Sequence, residues 1–307
     1  FKKTSSEELT VSERIEWVNR NYKKLGSKKK ACKVIGLAMA TYYGDPKVSY
    51  AEKEEREADL RGKIEQIRVK MPRTGYRYLL QELKRNGVKV GERRVRGILK
   101  KFNLQIRPRK RFVVTTNSNH KFEVYPSLIE GMTLEGINQV WASDITYIRI
   151  ENGFVYLAVV MDLYSRKIIG WAISKRIDGQ LALDALKMAI ARRRPSPGVI
   201  HHSDRGVQYL CELYVEHLKE HGFHISCSRK GNPYDNASVE SFMKTLKDNE
   251  VYLYDYKTIL DVIDSLPNFI EEVYNKKRLH SSLGYVPPEE FERDLEIKTV
   301  SRIMLEL

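Results

Sequence analysis

The sequence predicts an α/β protein in which a mixed five-stranded sheet is flanked by helices and is preceded by all-α helix-turn-helix modules. From about residue 139 onward, apolar alternation typical of strands is followed by helical periodicities that alternate with further strands. Before that point the periodicities are helical. The charge divides at nearly the same place, because residues 1–111 hold 31 Lys and Arg against 13 Asp and Glu, and the remainder is slightly acidic.

The first helical module is assigned to residues 1–46. Residues 12–43 predict three short helices, with Ser12 and Ser27 as N-caps and a turn at Gly36. A helix, a glycine-containing turn and a second helix are typical of the helix-turn-helix motif. Residues 47–72 form a highly charged helical stretch stopped by Pro72, and they predict a solvent-exposed connecting helix.

A second helix-turn-helix module is assigned to residues 73–112. Its two apolar faces are separated by Gly87, and the last helix turns three arginines outward as candidates for DNA contact, namely Arg93, Arg94 and Arg96. The positive field of this third of the chain favours binding to a phosphate backbone. A structural three-helix bundle with a lysine-rich solvated surface is the alternative. A basic segment then leads into a linker, assigned to residues 113–136, and can lie along DNA through Arg107, Arg109, Lys110 and Arg111.

The sheet is predicted within residues 137–292, and residues 293–307 are assigned as a tail. The stretch "QVWASDITYIRI" predicts a first strand. The stretch "GFVYLAVVMDLYSRKIIGWAIS" predicts two more strands, joined by a turn at 162–166. A helix at 178–194, the strand "GVIHHS", a helix at 209–222, the strand "FHISCS" and a helix beginning at "NASVESF" follow. This order predicts a mixed sheet covered on both faces.

Three acids stand out by their positions in these elements. Asp144 lies in the first strand, Asp204 just past the fourth strand, and Glu240 on the late helix. Adjacent parallel strands would bring the two aspartates together, and crowded carboxylates stay ionised only with a cation between them. Two hard divalent ions about 4 Å apart support in-line phosphoryl displacement. Each acid taken alone has an ordinary surface explanation, but their joint placement predicts a metal-dependent centre.

The spacing and surroundings of these acids resemble a known signature. Between Asp204 and Glu240 lie 35 residues, and Lys247 follows seven residues after the glutamate. Together with "WASDITYI", "HHSDRGVQY", "SCSRKGNPYDNASVESFMKTLK" and "YNKKRLHSSLGYVPPEEF", this resembles the DDE signature of retroviral integrases and of the IS3 family of insertion-sequence transposases. The resemblance runs from about residue 12 to residue 292 and includes the second helix-turn-helix module.

The resemblance implies an RNase H-like core and a DDE-type transposase. Such an enzyme cleaves one strand at each element end and joins the 3′-hydroxyl to DNA, by a copy-out, paste-in route. The resemblance assigns Asp144, Asp204 and Glu240 as ligands of two Mg²⁺ ions, with Mn²⁺ as a possible substitute. It places Lys247 near the terminal nucleotides of the DNA, and Lys244 shares its helical face.

The resemblance also implies the partners of the chain. These are the double-stranded DNA of element ends and target, and further copies of the chain in at least a dimer, because two ends must be held together. The expected location is the bacterial cytoplasm at the nucleoid, without a membrane. The longest strongly apolar run, 155–161, is too short to cross a bilayer, which takes about 20 residues. Three cysteines without a CxxC spacing fit a reducing compartment.

The sequence departs in two places from the patterns of the families that it resembles. The family's further helix-turn-helix and leucine zipper would precede residue 12, where no heptad run occurs, so end recognition and multimerisation are left open. The His/His/Cys/Cys zinc module of retroviral integrases has no counterpart spacing, which favours the transposase branch. A non-enzymatic DNA-binding regulator and an RNase H-type nuclease are the competing hypotheses. The three intact acids disfavour the non-enzymatic regulator, and the two basic helical modules disfavour the nuclease.

Several other polar residues remain open to more than one interpretation. A zinc site formed by His217, His221, His224 and Cys227 is disfavoured. The first two histidines are instead predicted to line the solvent-exposed edge of a helix. His201 and His202 can contact DNA, order Asp204 or simply end a strand. Residues Asn232, Asp235 and Asn236 can shape the start of the catalytic helix, with Asn236 or Ser238 as its cap. A C-terminal cluster is interpreted as packing and DNA contact and comprises Asn275, Arg278 and His280.

Overall fold

The computed structural model describes residues 9–43, 50–106, 124–229 and 236–306. The chain begins with three short helices, α1 (Val11–Asn21), α2 (Lys28–Val34) and α3 (Met39–Tyr43). Ser27 caps α2 as predicted, but Thr10 rather than Ser12 caps α1. Thr10 and Glu13 form a reciprocal capping box, which satisfies two backbone N–H groups and fixes the start of the helix two residues earlier.

A second group of helices consists of α4 (Tyr50–Lys70), α5 (Tyr76–Arg85) and α6 (Glu92–Lys101). Their shared core includes Leu60 and Ile64 of α4, packed with Leu79, Leu83, Val95, Ile98 and Leu99. The prediction that α4 is a solvent-exposed connecting helix is therefore wrong for its second half. The abundant charges of α4 lie on its outer side, so its few apolar residues suffice to make it one member of a three-helix bundle.

Five strands form one mixed sheet in the order β3-β2-β1-β4-β5. They are β1 (Val140–Ile150), β2 (Gly153–Asp162), β3 (Ile168–Ser174), β4 (Ile200–Ser203) and β5 (His224–Cys227). The first three strands pair antiparallel, whereas β4 is parallel to both β1 and β5. This topology confirms the predicted RNase H-like sheet.

Helices cover both faces of the sheet. One face packs against α7 (Gly179–Arg193), α8 (Val207–Leu210) and α9 (Glu212–Glu220), and the other against α10 (Ala237–Leu246) and α11 (Ile259–Asn268). The helix predicted over 209–222 is interrupted at Cys211, whose backbone is extended. In β3, Gly170 permits the close approach of α7, because a Cβ there would lie 2.2 Å from the backbone oxygen of Ala185.

Two π-helical segments, Lys247–Val251 and Phe269–Asn275, continue α10 and α11, and the last helix, α12 (Pro288–Glu306), runs through the predicted tail. The bundle of α4 to α6 contacts this part of the core. The Arg73 backbone N–H donates to Asn249 Oδ1 at 3.0 Å, and Arg85 pairs with Glu290 at 2.7 Å. Among the helices within the described ranges, none has the length and apolar composition needed to cross a membrane.

Candidate active site

The two aspartates lie side by side at the point where β1 continues beyond the end of β4. The parallel register aligns Trp141 with His201 and Ala142 with His202. Continued by two residues, the same register sets Asp144 opposite Asp204, which follows the last residue of β4. Because β4 ends at Ser203, nothing in that strand covers the edge of β1 beyond this point. The strand pair therefore presents both carboxylates at one edge of the sheet, as the sequence predicted.

Helix α10 brings the third acid over this edge. Its apolar residues, among them Val239, Phe242 and Leu246, join the same core cluster as Ala142 and Ile148 of β1. At its start, the buried Asn236 side chain donates from Nδ2 to the backbone oxygen of Ser143 at 3.4 Å. Asn236 is the N-cap residue, but its side chain makes no capping hydrogen bond. Helix α10 is thus fixed along β1, and Glu240 is exposed on its outer side.

The electrostatics show that these acids act on one another. Burial, together with the negative charges of Asp204 and Glu240, raises the pKa of Asp144 to about 7. The backbone N–H of Ile145 and the ammonium of Lys247 oppose that shift. Asp204 accepts a hydrogen bond from the Gly206 N–H at 2.8 Å, which fixes the turn after β4. A group of carboxylates that repel one another in this way requires positive charge to be fully ionised near neutral pH.

The donor set fits divalent cations. All three side chains offer carboxylate oxygens, the ligands that Mg²⁺ and Mn²⁺ prefer. Beside them the Tyr209 hydroxyl is buried without a hydrogen-bond partner within the described part of the chain, and its pKa is raised by burial and by Asp144 and Asp204. The ligand atoms of the three acids do not all lie within 4.8 Å of one another. That spread exceeds a compact single-ion cage.

A buried polar network lies directly beneath the aspartates. His201 Nε2 is 2.8 Å from Ser143 Oγ and 2.8 Å from Tyr214 Oη, and burial lowers the pKa of His201 to about 3. His202 is likewise buried, between Ser226 Oγ at 2.9 Å and Ser228 Oγ at 3.0 Å. Both histidines therefore support the sheet, and DNA contact by either side chain is excluded in this conformation.

The two lysines differ in their environments. Lys247 opens the π-helical segment, and its Nζ lies 4.4 Å from the centroid of the Tyr147 ring. Burial lowers the pKa of Lys247, while Asp144 opposes that effect. Lys244 is exposed on α10. Both lysines thus lie on the helix that carries Glu240, and Lys247 is electrostatically linked to the acids.

The predicted DNA-contacting arginines fall into two groups. Arg93, Arg94 and Arg96 project from α6 away from its buried face, and Arg96 also pairs with Glu92 at 3.4 Å and lies over the Tyr76 ring. A cleft of about 820 Å³ between the helices of the bundle is lined partly by Arg93, Arg96 and Lys100. The other four, Arg107, Arg109, Lys110 and Arg111, lie outside the described residues, as do Asn232 and Asp235.

The C-terminal polar cluster serves packing. Asn275 is fully buried and bridges the backbone N–H and C=O of Ile168 at 2.9 Å each, so its predicted DNA contact is wrong. The His280 ring packs against Tyr274 with centroids 4.9 Å apart. Arg278 reaches the ring of Tyr78 in the helical bundle, at 5.9 Å. The cluster ties β3 and the bundle to the end of the core.

The zinc set considered from the sequence is not assembled. Cys227 is buried in β5 and His224 is exposed at the start of that strand. In the described ranges, the grouping whose ligand atoms approach within 4.8 Å is His217, Glu220 and His221, at the end of α9. The exposed helix edge predicted for His217 and His221 agrees with this surface, since His217 is partly exposed and His221 is exposed.

Two residues of the site escaped sequence reasoning. Tyr209 lies five residues after Asp204 and Tyr147 three residues after Asp144, and neither has a spacing that predicts contact with the acids. The positions of both tyrosines in the sequence place them near the acids along the chain, but they do not predict a contact with them. The orphaned hydroxyl and the ring under the ammonium are visible only once the chain is folded.

Comparison with known proteins gives consistent matches. Two family models, both described as Integrase core domain, match residues 135–233 and 221–288. An insertion element IS600 31 kDa protein of Shigella sonnei is 38% identical over 265 residues, covering 85% of this chain and 96% of that protein. The transposase InsF for insertion sequence IS3A of Escherichia coli K12 is 40% identical over 221 residues, covering 72% and 77% respectively. The solved catalytic core domain of BIV integrase aligns at 20% identity with a TM-score of 0.40, covering 53% of this chain and 99% of that one.

Proposed function

This chain belongs to the IS3 family of insertion-sequence transposases, and from that membership we propose that Asp144, Asp204 and Glu240 together hold the metal ions of its DNA-transfer centre. Membership makes the chain a DNA transposase with integrase-like, DDE-type polynucleotidyl transfer that depends on divalent metal. The observation that carries the proposal is the convergence of three carboxylates from β1, the end of β4 and α10, with the pKa of Asp144 raised by both of the others.

We propose two Mg²⁺ ions, with Mn²⁺ as a substitute that accepts the same oxygen ligands. When bound, such a pair supplies Lewis-acid stabilisation of the attacking and leaving oxygens of an in-line displacement. Asp144, whose pKa is raised by both Asp204 and Glu240, would hold the metal together with these two acids. Glu240 is exposed on α10 and would complete the set of metal-holding carboxylates.

The chemistry proceeds in two displacements at phosphorus. In the first, a water oxygen bonds to the phosphorus at an element end, and the P–O bond to the 3′-oxygen breaks and leaves a 3′-hydroxyl. In the second, that 3′-oxygen bonds to a phosphorus of new DNA, its proton leaves, and the P–O bond of the attacked strand breaks. The number of phosphodiester bonds is conserved in the second step, so no cofactor energy and no covalent protein intermediate is required. This sequence fits the copy-out, paste-in route.

Replacing Asp204 by Asn tests the metal centre. The amide keeps the size of the side chain and removes the negative charge that binds the cation, so strand cleavage and joining in Mg²⁺ should fall by more than about 100-fold. Binding to a duplex carrying an element end should stay near the parent value. The matched control is Asp184→Asn on the exposed side of α7, which should keep parent activity. Parent-level cleavage by the Asp204 variant would remove the proposal.

We propose that the bundle of α4 to α6 binds DNA through the outer face of α6. Arg93 and Arg94 are exposed there, and no ion pair holds either one within the described part of the chain. Arg94→Ala should weaken DNA binding and reduce the slope of log affinity against log salt by about 1, the change expected for one lost phosphate contact. Arg61→Ala is the control, because Arg61 already pairs with Glu65 at 2.8 Å on α4. An unchanged slope for Arg94→Ala would favour a purely structural bundle.

We propose that the active assembly is at least a homodimer at the bacterial nucleoid, since two element ends must be held in one complex. Sedimentation of the chain with paired end duplexes should give a mass of two or more protomers per pair of ends. A complex with a single protomer on both ends would contradict this expectation.

A further inference from the structure

Lys247 and Tyr147 make a contact that family membership does not assign. The Lys247 Nζ lies 4.4 Å from the centroid of the Tyr147 ring, the shortest cation–π distance within the described part of the chain. An ammonium over an aromatic face is attracted by the negative charge of the ring's π-system. Tyr147 is in turn packed edge-on by Phe154 of β2, with centroids 5.4 Å apart and planes at 90°. The ring that receives the ammonium is therefore itself held by the β1–β2 hairpin.

This contact is the second of two that fix α10 along β1. At the start of the helix, the Asn236 side chain bonds the backbone oxygen of Ser143. At its end, Lys247 reaches Tyr147, four residues further along the same strand. Glu240 lies between these two anchors on the helix, and Asp144 lies between them on the strand. The pair of anchors keeps the acid-bearing helix and the acid-bearing strand in alignment.

A comparison of Lys244 with Lys247 shows what the Tyr147 ring contributes to the order of a lysine side chain. Lys244 is exposed, and in the described ranges its ammonium lies over no aromatic ring. Lys247 is half-buried and reaches its ring from the first residue of the π-helical segment. A lysine that is already ordered loses less conformational entropy when it binds a phosphate.

We propose that Tyr147 is a positioning residue that holds the Lys247 ammonium at the edge of the carboxylate cluster, ready to receive the DNA phosphate beside the reacting bond. The inference rests on the DNA-transfer function proposed above. The ring face, and not the phenol hydroxyl, is the part that acts. Tyr147 itself touches neither DNA nor the reacting atoms.

Amine labelling of the full chain without DNA or metal tests the contact itself. With a water-soluble N-hydroxysuccinimide ester and peptide mass spectrometry, Tyr147→Leu should raise the labelling rate of Lys247 severalfold, because the ammonium is released into solvent. The rate at Lys244 should not change and is the internal reference. Tyr147→Phe should leave Lys247 as slow as in the parent. Equal Lys247 rates in the parent and the Leu variant, or a fast rate in the Phe variant, would overturn the inference.

Strand-joining kinetics test whether the contact matters for the reaction. With a precut element-end duplex at saturating concentration, Tyr147→Leu should slow joining by about 2- to 30-fold, the range expected of a cation–π contact, and Tyr147→Phe should restore the rate. In a Lys247→Met background, adding Tyr147→Leu should cause no further loss. A full further loss there would show that Tyr147 acts by some route other than Lys247 and would overturn the inference.

A matched substitution and the parent protein separate the possible failures. Tyr254→Leu replaces a tyrosine that is 57% exposed and contacts Tyr256 rather than Lys247, so both labelling and joining should stay at parent values. If the labelling result holds while the parent itself joins no DNA, the proposed function fails and the contact stands. If the parent joins DNA and the Leu variant joins equally fast, the positioning role fails and the function stands.

Discussion

At the residue scale, the His201 imidazole is the side chain that joins the two acid-bearing strands below their carboxylates. It lies on β4, and its Nε2 reaches both Ser143 of β1 and Tyr214 of α9 at 2.8 Å. Burial lowers its pKa to about 3, so the ring is neutral at the pH of a cell. Both hydroxyls meet the same nitrogen, and an unprotonated Nε2 can accept from an O–H group, which suits a neutral ring at this position. Its position beside Asp144 and Asp204 is therefore structural.

The stability of the fold should depend on pH through this residue. An unfolded histidine has a pKa of about 6.5, and the folded value is lower, so the contribution of His201 is fully present above pH 6.5 and is lost as the pH falls towards 3. One proton taken up on unfolding corresponds to a fall in the free energy of unfolding of about 1.4 kcal/mol per pH unit.

His201→Gln tests this dependence. Urea unfolding between pH 6 and pH 4 should show a slope smaller by about one proton than in the parent, whatever the change in absolute stability. His221→Gln, at an exposed position, is the control. A parent slope retained by the His201 variant would mean that the ring is charged or accessible in the fold.

At the scale of single elements, α4 shows how little apolar surface a helix needs to be built into a core. Leu60 and Ile64, four residues apart, are buried against α5 and α6, while most of the helix is charged and exposed. The composition of α4 therefore predicts its solvent-exposed face correctly, but it does not reveal that Leu60 and Ile64 are buried. Its role is to complete the bundle whose last helix presents Arg93 and Arg94.

Ile64→Ala tests the place of α4 in that core. Ile64 is fully buried, so truncation should lower the free energy of unfolding of the bundle by about 2–5 kcal/mol, measured by chemical denaturation. Val69→Ala on the same helix is the control, because Val69 is 82% exposed and its truncation should change stability by no more than about 0.5 kcal/mol. Equal effects of the two substitutions would restore the interpretation of α4 as a free connecting helix.

At the scale of the whole molecule, the basic bundle and the catalytic core meet next to the segment that carries Lys247. Asn249, two residues beyond Lys247, is buried, accepts from the Arg73 N–H at 3.0 Å and donates to the Thr245 oxygen at 3.0 Å. The ion pair of Arg85 with Glu290 makes a second connection. The position of the basic bundle is therefore tied to the end of the helix that carries Glu240.

Asn249→Ala should loosen this connection. The Arg73 N–H would lose its acceptor at a partly buried position, at a cost of about 1 kcal/mol. Amide hydrogen exchange should become faster at Arg73 and through the bundle, while exchange in the five strands changes little. Asn86→Ala is the control, since the Asn86 side chain donates to the Glu82 oxygen within its own helical element. Unchanged exchange at Arg73 in the Asn249 variant would show that the bundle is held by other contacts.

Much of this molecule could be predicted from its sequence because local patterns carried the information. Alternation and helical periodicity predicted all five strands and the sites of the main helices, since each buries one face. Asp144, Asp204 and Glu240 were predicted from their places within a strand, just past a strand and on a helix, because adjacent parallel strands bring residues at matching positions together. The predicted cap of α1 lies two residues from the observed one, because serine and threonine can both occupy that position.

The sequence by itself determined the order of elements, the distribution of charge and the identity of the three acids. Only the tertiary structure decided which polar residues are buried. It places His201 and Asn275 inside the protein and leaves the Tyr209 hydroxyl beside the aspartates with no hydrogen-bond partner among the described residues. It also decided that the ring of Tyr147 meets the ammonium of Lys247 and that α4 belongs to a core. The physical reason is that burial and pairwise contact depend on residues distant in the chain, whereas periodicity depends on neighbours.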